Sequence, residues 1–320
     1  KYSGLSLQTW RPTIQNESFI KELWPAQHIL GKADVFKGKS TIIQMPTSAG
    51  KTKAVELIIR SAFLAERTKM AVIIAPFRAL CHEIKNGLKE AFRDESIGID
   101  ELSDVFQTDY NIQDLLHSYQ ILVLTPEKLL YVLRHAPELA SYIGLLVFDE
   151  GHQFDNGSRG ITYELLLTSL QSMITKEVQK VLISAVISNA ETVGEWLNGE
   201  PNVVEGTSLI PTLRSVGFAS WLDRLGRIEY VDSQDPEQGE FFVPRVIESY
   251  NLGRKKRERK DRFFPDKSDG HSIALYLGLK LIANGSIAIF CGRKDTAASI
   301  CDKIVDYIER GIPYNSPDKY

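Results

Sequence analysis

Short runs of consecutive apolar residues alternate with longer stretches of helical periodicity through the first two-thirds of the chain. Thr41 to Gln44, Met70 to Ala75, Ile121 to Leu124, Leu145 to Phe148 and Val181 to Ser184 have the length and the β-branched, leucine-rich content of strands covered on both faces. Helical patterns such as Lys53 to Phe63 lie between them. That alternation predicts an α/β fold, a parallel sheet flanked by crossover helices. The pattern changes after Asn202. Arg214 to Trp221 and Arg227 to Val231, with a turn at Gly226, read as two antiparallel strands, and the acidic, turn-rich 232–240 reads as a loop. From Ser272 the earlier pattern resumes with a helix to Ala283, a strand at Ser286 to Cys291 and a helix from Asp295 to about Arg310. One helix–strand–helix unit is too small for an independent core. The expected division is therefore a first domain over 1–205, a hairpin and basic linker over 206–270, and the truncated start of a second domain over 271–320.

Two segments carry candidate chemistry. Met45-Pro-Thr-Ser-Ala-Gly-Lys-Thr52 joins the first strand to the first long helix. Pro46, Thr47, Ser48, Ala49 and Gly50 would form a loop whose small residues let backbone N–H groups turn around a phosphate. Lys51 would put an ammonium on the β and γ phosphates, Thr52 a hydroxyl on Mg²⁺, and the helix opening there its positive end on the same anion. Met45 stands where the first glycine of the usual G-x-x-x-x-G-K-T pattern belongs. The second segment, Leu145-Leu-Val-Phe-Asp149-Glu150-Gly-His152, ends an apolar strand in two acids at its carboxyl end, the edge where α/β folds bind ligands. Asp149 would hold Mg²⁺ and Glu150 would orient and deprotonate an attacking water. Taken singly, the first segment also fits a surface turn and the second an ordinary polar cap. Together they point to one nucleoside triphosphate site with Mg²⁺.

With 320 residues and 43% hydrophobic content the chain can bury one large core or two medium ones. A net charge of −3 gives no overall pull toward polyanions, so any nucleic-acid site must be a local patch. The run from Arg254 to Arg262, seven cations against two anions, is one candidate for phosphate contacts and equally reads as a solvated loop. Cys81, Cys291 and Cys301 are too scattered for a disulfide framework or a zinc site, and no apolar stretch reaches the length of a membrane span. The expectation is a soluble, cytoplasmic protein with no membrane partner.

The order of motifs resembles the superfamily 2 helicases. Leu23-Trp-Pro-Ala-Gln27 looks like the adenine-reading glutamine motif of that family, with Gln27 as donor and acceptor. Ala75-Pro76-Phe77-Arg78 and Thr125-Pro126-Glu127 resemble its motifs Ia and Ib, which implies that Pro76, Arg78, Thr125 and Pro126 hold the sugar-phosphate backbone of single-stranded DNA or RNA. Asp149-Glu-Gly-His152, with Ser158-Arg159-Gly160 and Glu164 after it, is similar to the DExH motif of the superkiller-type branch. In that branch the histidine, here His152, links the ATP site to neighbouring motifs. Ser184-Ala185-Val186 stands where Ser-Ala-Thr belongs, so Ser184 is expected to couple hydrolysis to movement while Val186 lacks the usual hydroxyl. Ile287 to Arg293 resembles motif IV of a second lobe. The resemblance implies a RecA-like P-loop domain with an incomplete second RecA-like domain, ATP as the nucleotide, and an ATP-dependent helicase or translocase. Motifs V and VI with their arginine fingers do not appear, so this chain by itself is expected to be a poor ATPase. Gln44 to Phe63 and Ala75 to Leu80 also resemble helicases of bacterial antiphage defence of the Hachiman type, which implies a partner effector such as a nuclease. The rival expectation is a nucleotide-controlled switch or scaffold that unwinds nothing, favoured by Val186 and the acidic net charge.

Overall fold

A computed structural model describes residues 1–46, 49–100, 119–152, 157–174, 177–185, 187–206, 209, 215–222, 225–232, 235, 237–254 and 259–309, with the side chains of 157–159 and 222 outside the description. The chain divides into two compact units, 1–212 and 213–320.

In the first unit α1 (Leu7–Gln15) and α2 (Pro25–Lys32) precede β1 (Thr41–Gln44). There follow α3 (Lys51–Leu64), β2 (Met70–Ile74), α4 (Arg78–Ala91), β3 (Ile97–Asp100), β4 (Tyr119–Leu124), α5 (Pro126–His135) and β5 (Ile143–Phe148). The unit closes with α6 (Gly157–Met173), β6 (Gln179–Ser184), α7 (Ala190–Asn198) and β7 (Val203–Glu205). The seven strands form one sheet in the order β3-β4-β2-β5-β6-β1-β7, and every described pairing is parallel.

The strands are apolar almost throughout because both faces are covered, and successive side chains point to opposite faces. Ile43, Ala71, Ile73, Ile121, Val123, Val147 and Ile183 pack on one side with α2, α3 and α4. Ile42, Val72, Ile74, Leu122, Leu124, Phe148 and Leu182 pack on the other with α5, α6 and α7. Each such side chain removed from water contributes roughly 1.5–3 kcal/mol. The helix that carries Lys51 is also pinned by a buried guanidinium. Arg60 donates to Glu56 at 2.9 Å and to the Ala91 carbonyl at 2.7 Å, pairs with Glu95, and lies 4.1 Å from the centre of the Phe92 ring. Such a network fixes helix position more surely than it adds stability.

In the second unit β8 (Val216–Leu222), β9 (Leu225–Val231) and β10 (Gly239–Glu248) form an antiparallel sheet in the order β10-β9-β8. The pair β11 (Tyr250–Gly253) and β12 (Arg262–Phe264) and the helices α8 (Gly270–Leu281) and α9 (Lys294–Glu309) complete it. Ile247 of the sheet, Phe264, and Leu275, Tyr276, Ile300 and Tyr307 of the helices share one core.

Three sequence expectations need correction here. Gly226 does not make the hairpin turn. It lies within β9 opposite Trp221, because the ladder continues to Leu222 opposite Leu225. Gly239 and Glu240 belong to a third strand rather than a loop. Pro244 and Arg245 of that strand fall where its register shifts, and Arg245 has φ 58°, a bulge that tolerates a proline without a ladder donor. Ser286 to Cys291 forms no strand. Its alternation is strand-like, but a strand needs a partner's ladder and no described segment supplies one. Ile289 and Cys291 pack on the core while Phe290 is 93% exposed.

Candidate active site

Because β1, β5 and β6 are parallel neighbours in the sheet, their carboxyl ends open on one edge, and the two candidate segments meet there. After Gln44 the chain turns at Pro46, whose carbonyl accepts the Ala49 N–H at 3.0 Å. Gly50 caps α3 with φ 85°, a left-handed conformation that favours glycine. Space is tight as well, since a Cβ there would lie 3.1 Å from the Trp24 ring and 3.2 Å from Gln27 Nε2. The first turn of α3 contains no acidic residue, so its positive end is left for an external anion. Thr52 is exposed in that turn, whereas Lys51 is only 8% exposed. Its Nζ is buried with no hydrogen-bond partner among the described residues. A buried ammonium without a partner is costly, and a phosphate is the ligand this one fits. Thr47 and Ser48 lie outside the described residues.

Asp149 continues β5 and anchors through its backbone N–H to the Ile74 carbonyl at 2.8 Å. Burial and the repulsion of Glu150 raise its carboxyl from 3.8 to about 6, against the opposing pull of the Glu150 N–H, Lys51 and His152. The charge of Lys51 is felt at Asp149, opposing the upward shift. The Glu150 N–H bonds Asp149 Oδ1 at 3.0 Å, and Glu150 itself has φ 53°, a strained conformation at a functional edge. His152 Nδ1 lies 3.3 Å from Glu150 Oε2 and 3.4 Å from the Oγ of fully buried Ser184, so one imidazole bridges the ends of β5 and β6. An ammonium, a hard carboxylate beside a helix N-terminus, and a second carboxylate held by a histidine suit a magnesium-bound triphosphate and an attacking water.

The other expected site residues are distributed unevenly. Gln27 is buried, and its Oε1 accepts the Trp24 N–H at 2.5 Å, which leaves its Nε2 beside Gly50. Pro76 is buried, and Arg78 is exposed at the start of α4. Thr125 is 6% exposed as the residue that opens α5, with Pro126 in its first turn. Of these four, Arg78 alone presents its side chain to solvent. Val186 and residues 255–258 of the basic run lie outside the described residues, while Arg254 and Arg262 face Asp261 at 2.7 Å and Asp306 at 3.7 Å. Sequence reasoning missed Gln44, whose Nε2 donates to the Ile187 carbonyl and so ties the phosphate loop's strand to the segment after β6. It also missed Tyr163, which an apolar helical stripe presents as ordinary core. No helix among the described residues is long and apolar enough to cross a membrane.

The parallel sheet with a phosphate loop after β1 and paired acids after β5 defines a RecA-like α/β domain. The chain belongs to the DEAD/DEAH box helicase family, which it matches over residues 26–193, more than half its length. It is 27% identical over 305 residues to the Hachiman protein HamB of Bacillus cereus, covering 94% of this chain and 27% of that protein. It is 28% identical to the ATP-dependent DNA helicase Hel308 of Thermococcus kodakarensis, covering 76% of this chain and 20% of that one. The chain thus spans about a quarter of the length of these curated relatives. Among solved structures it resembles the DUF1998 helicase MrfA with a TM-score of 0.58 at 16% identity, over 98% of this chain and 43% of that one. At that identity the likeness concerns the fold alone.

Proposed function

We propose that this chain is the ATP-binding lobe, with the start of the second lobe, of a DExH-type motor that moves along single-stranded DNA or RNA. The observation that supports the reading is the Lys51 ammonium, buried with no hydrogen-bond partner among the described residues, on the sheet edge where β5 leads into Asp149. Residues 46–52 hold the phosphates of ATP, and Thr52 and Asp149 hold Mg²⁺. Bound magnesium would neutralise charge on the transferring phosphoryl group. Glu150 takes the proton of the attacking water, and His152, set between Glu150 and Ser184, passes its position to the end of β6. The loops at Pro76, Arg78, Thr125 and Pro126 hold the strand by its backbone. Gln27, whose Nε2 lies next to Gly50, is the adenine-side residue of this reading. The similarity to the Hachiman protein HamB supports a role in antiphage defence. In this proposal the motor acts in the cytoplasm with an effector partner such as a nuclease.

In the complete protein, Glu150→Gln and Lys51→Ala are expected to lower ATP turnover on the order of a hundredfold or more while single-strand binding persists. Unchanged turnover in both variants refutes the site. Val186, in place of a hydroxyl residue, favours a second reading as a nucleotide-controlled switch that unwinds nothing. Nucleic acid stimulates the ATPase of a motor, whereas a switch responds to its protein partner alone.

A further inference from the structure

One buried hydroxyl sits where the ATP-side segment and the proposed strand-binding loop part company. Tyr163 of α6 is 2% exposed, and its hydroxyl lies 3.5 Å from the Ile74 carbonyl and 3.4 Å from the Asp149 carbonyl. The Ile74 carbonyl also accepts the Asp149 N–H, so the phenol is centred on the last rung of the β2–β5 ladder. Beyond that rung β2 runs on into Ala75, Pro76 and Arg78, and β5 into Asp149 and Glu150. A single O–H at these long distances is shared between two carbonyls and strengthens toward whichever one approaches. Burial and the nearby carboxylates push the phenol far above its ordinary range, so it stays a donor. Cys81, whose thiol lies 3.8 Å from the Ala75 carbonyl, and Glu127 of α5 are felt at the same hydroxyl.

We propose that Tyr163 is a positioning residue that couples the two sites, its hydroxyl tying the peptide of Asp149 to the segment that leads to Arg78. This rests on the motor reading above. A strand bound at Arg78 would move the Ile74–Ala75 peptide, alter the sharing of the proton, and so shift the Asp149 peptide, whose carboxylate would hold Mg²⁺. Nucleotide and strand affinities then depend on each other, and a linkage carried by one shared hydrogen bond is worth about fivefold.

The test measures the affinity of the complete protein for a fluorescent ADP analogue with Mg²⁺, with and without saturating poly(dT) or poly(U), in wild type and Tyr163→Phe. Phenylalanine keeps the ring and its packing and removes only the hydroxyl. The wild type is expected to show a strand-dependent change in nucleotide affinity, which in Y163F shrinks to within about twofold of none, with the melting temperature held. Undiminished coupling in Y163F overturns the assignment to Tyr163 and leaves the motor reading standing. Lost coupling accompanied by a melting temperature lower by about 5 °C or more also overturns it, because the hydroxyl would then serve packing. A wild type whose nucleotide affinity ignores both polymers sinks the motor reading, and the role of Tyr163 with it.

Discussion

Ile43 of the first unit and Phe290 of the second both lie in short apolar runs with strand-like sequence, and they end in opposite environments. Ile43 is 1% exposed, in ladder with Ile183 on one side and Val204 on the other. Phe290 is 93% exposed in a segment that pairs with nothing described. The difference teaches that an apolar run states a capacity to be buried, while neighbours in the sheet decide whether it becomes a strand. It also bears on the candidate site residues of the first unit. Asp149 and Ser184 sit at the ends of strands clamped on both sides, which fixes their place on that edge.

Ways to break this comparison run from large effects to small. Ile43→Ala opens a cavity in the core between the sheet and α2, α3 and α4 and should cost about 2–5 kcal/mol, read as a lower denaturant midpoint for the first unit. A loss below about 1 kcal/mol would mean that β1 is not locked as described.

Asp149→Asn acts in the opposite direction. With its carboxyl raised from 3.8 to about 6, the folded protein holds a proton that the unfolded chain has already released between those values. Stability therefore falls as pH rises through that window and stays lowered above it. In magnesium-free buffer at pH 7 the asparagine variant should be more stable than wild type by about 1–3 kcal/mol, with the gain vanishing below about pH 4. A gain that is the same at both pH values would disconnect it from the carboxyl.

Phe290→Ser should change stability by less than about 0.5 kcal/mol, since an exposed side chain gives up little on replacement. A cost comparable to that of Ile43→Ala would show that something covers the segment and would remove the contrast.

How far the molecule was legible in the sequence follows the same physics. The five central strands were readable because burial on both faces writes a continuous apolar run. β3 and β7, four and three residues at the sheet edges, leave no such run. β10 was hidden by Pro244, which reads as a breaker unless the bulge that accommodates it is known. At the site, Lys51, Asp149 and Glu150 could be proposed from the sequence because phosphate and metal chemistry restricts residue type and spacing. The bridge from His152 to Ser184, the contact of Gln44 with Ile187 and the place of Tyr163 join residues far apart in sequence, and only the folded sheet brings them together.

The most direct test of the shared pocket is calorimetric titration of a non-hydrolysable ATP analogue with Mg²⁺ into wild type and Lys51→Ala. Wild type should bind, and the variant should bind about 10- to 100-fold more weakly, the worth of a charge-assisted contact between the buried ammonium and a phosphate. Equal affinity in the two proteins would contradict the claim that Lys51 and Asp149 hold one ligand between them.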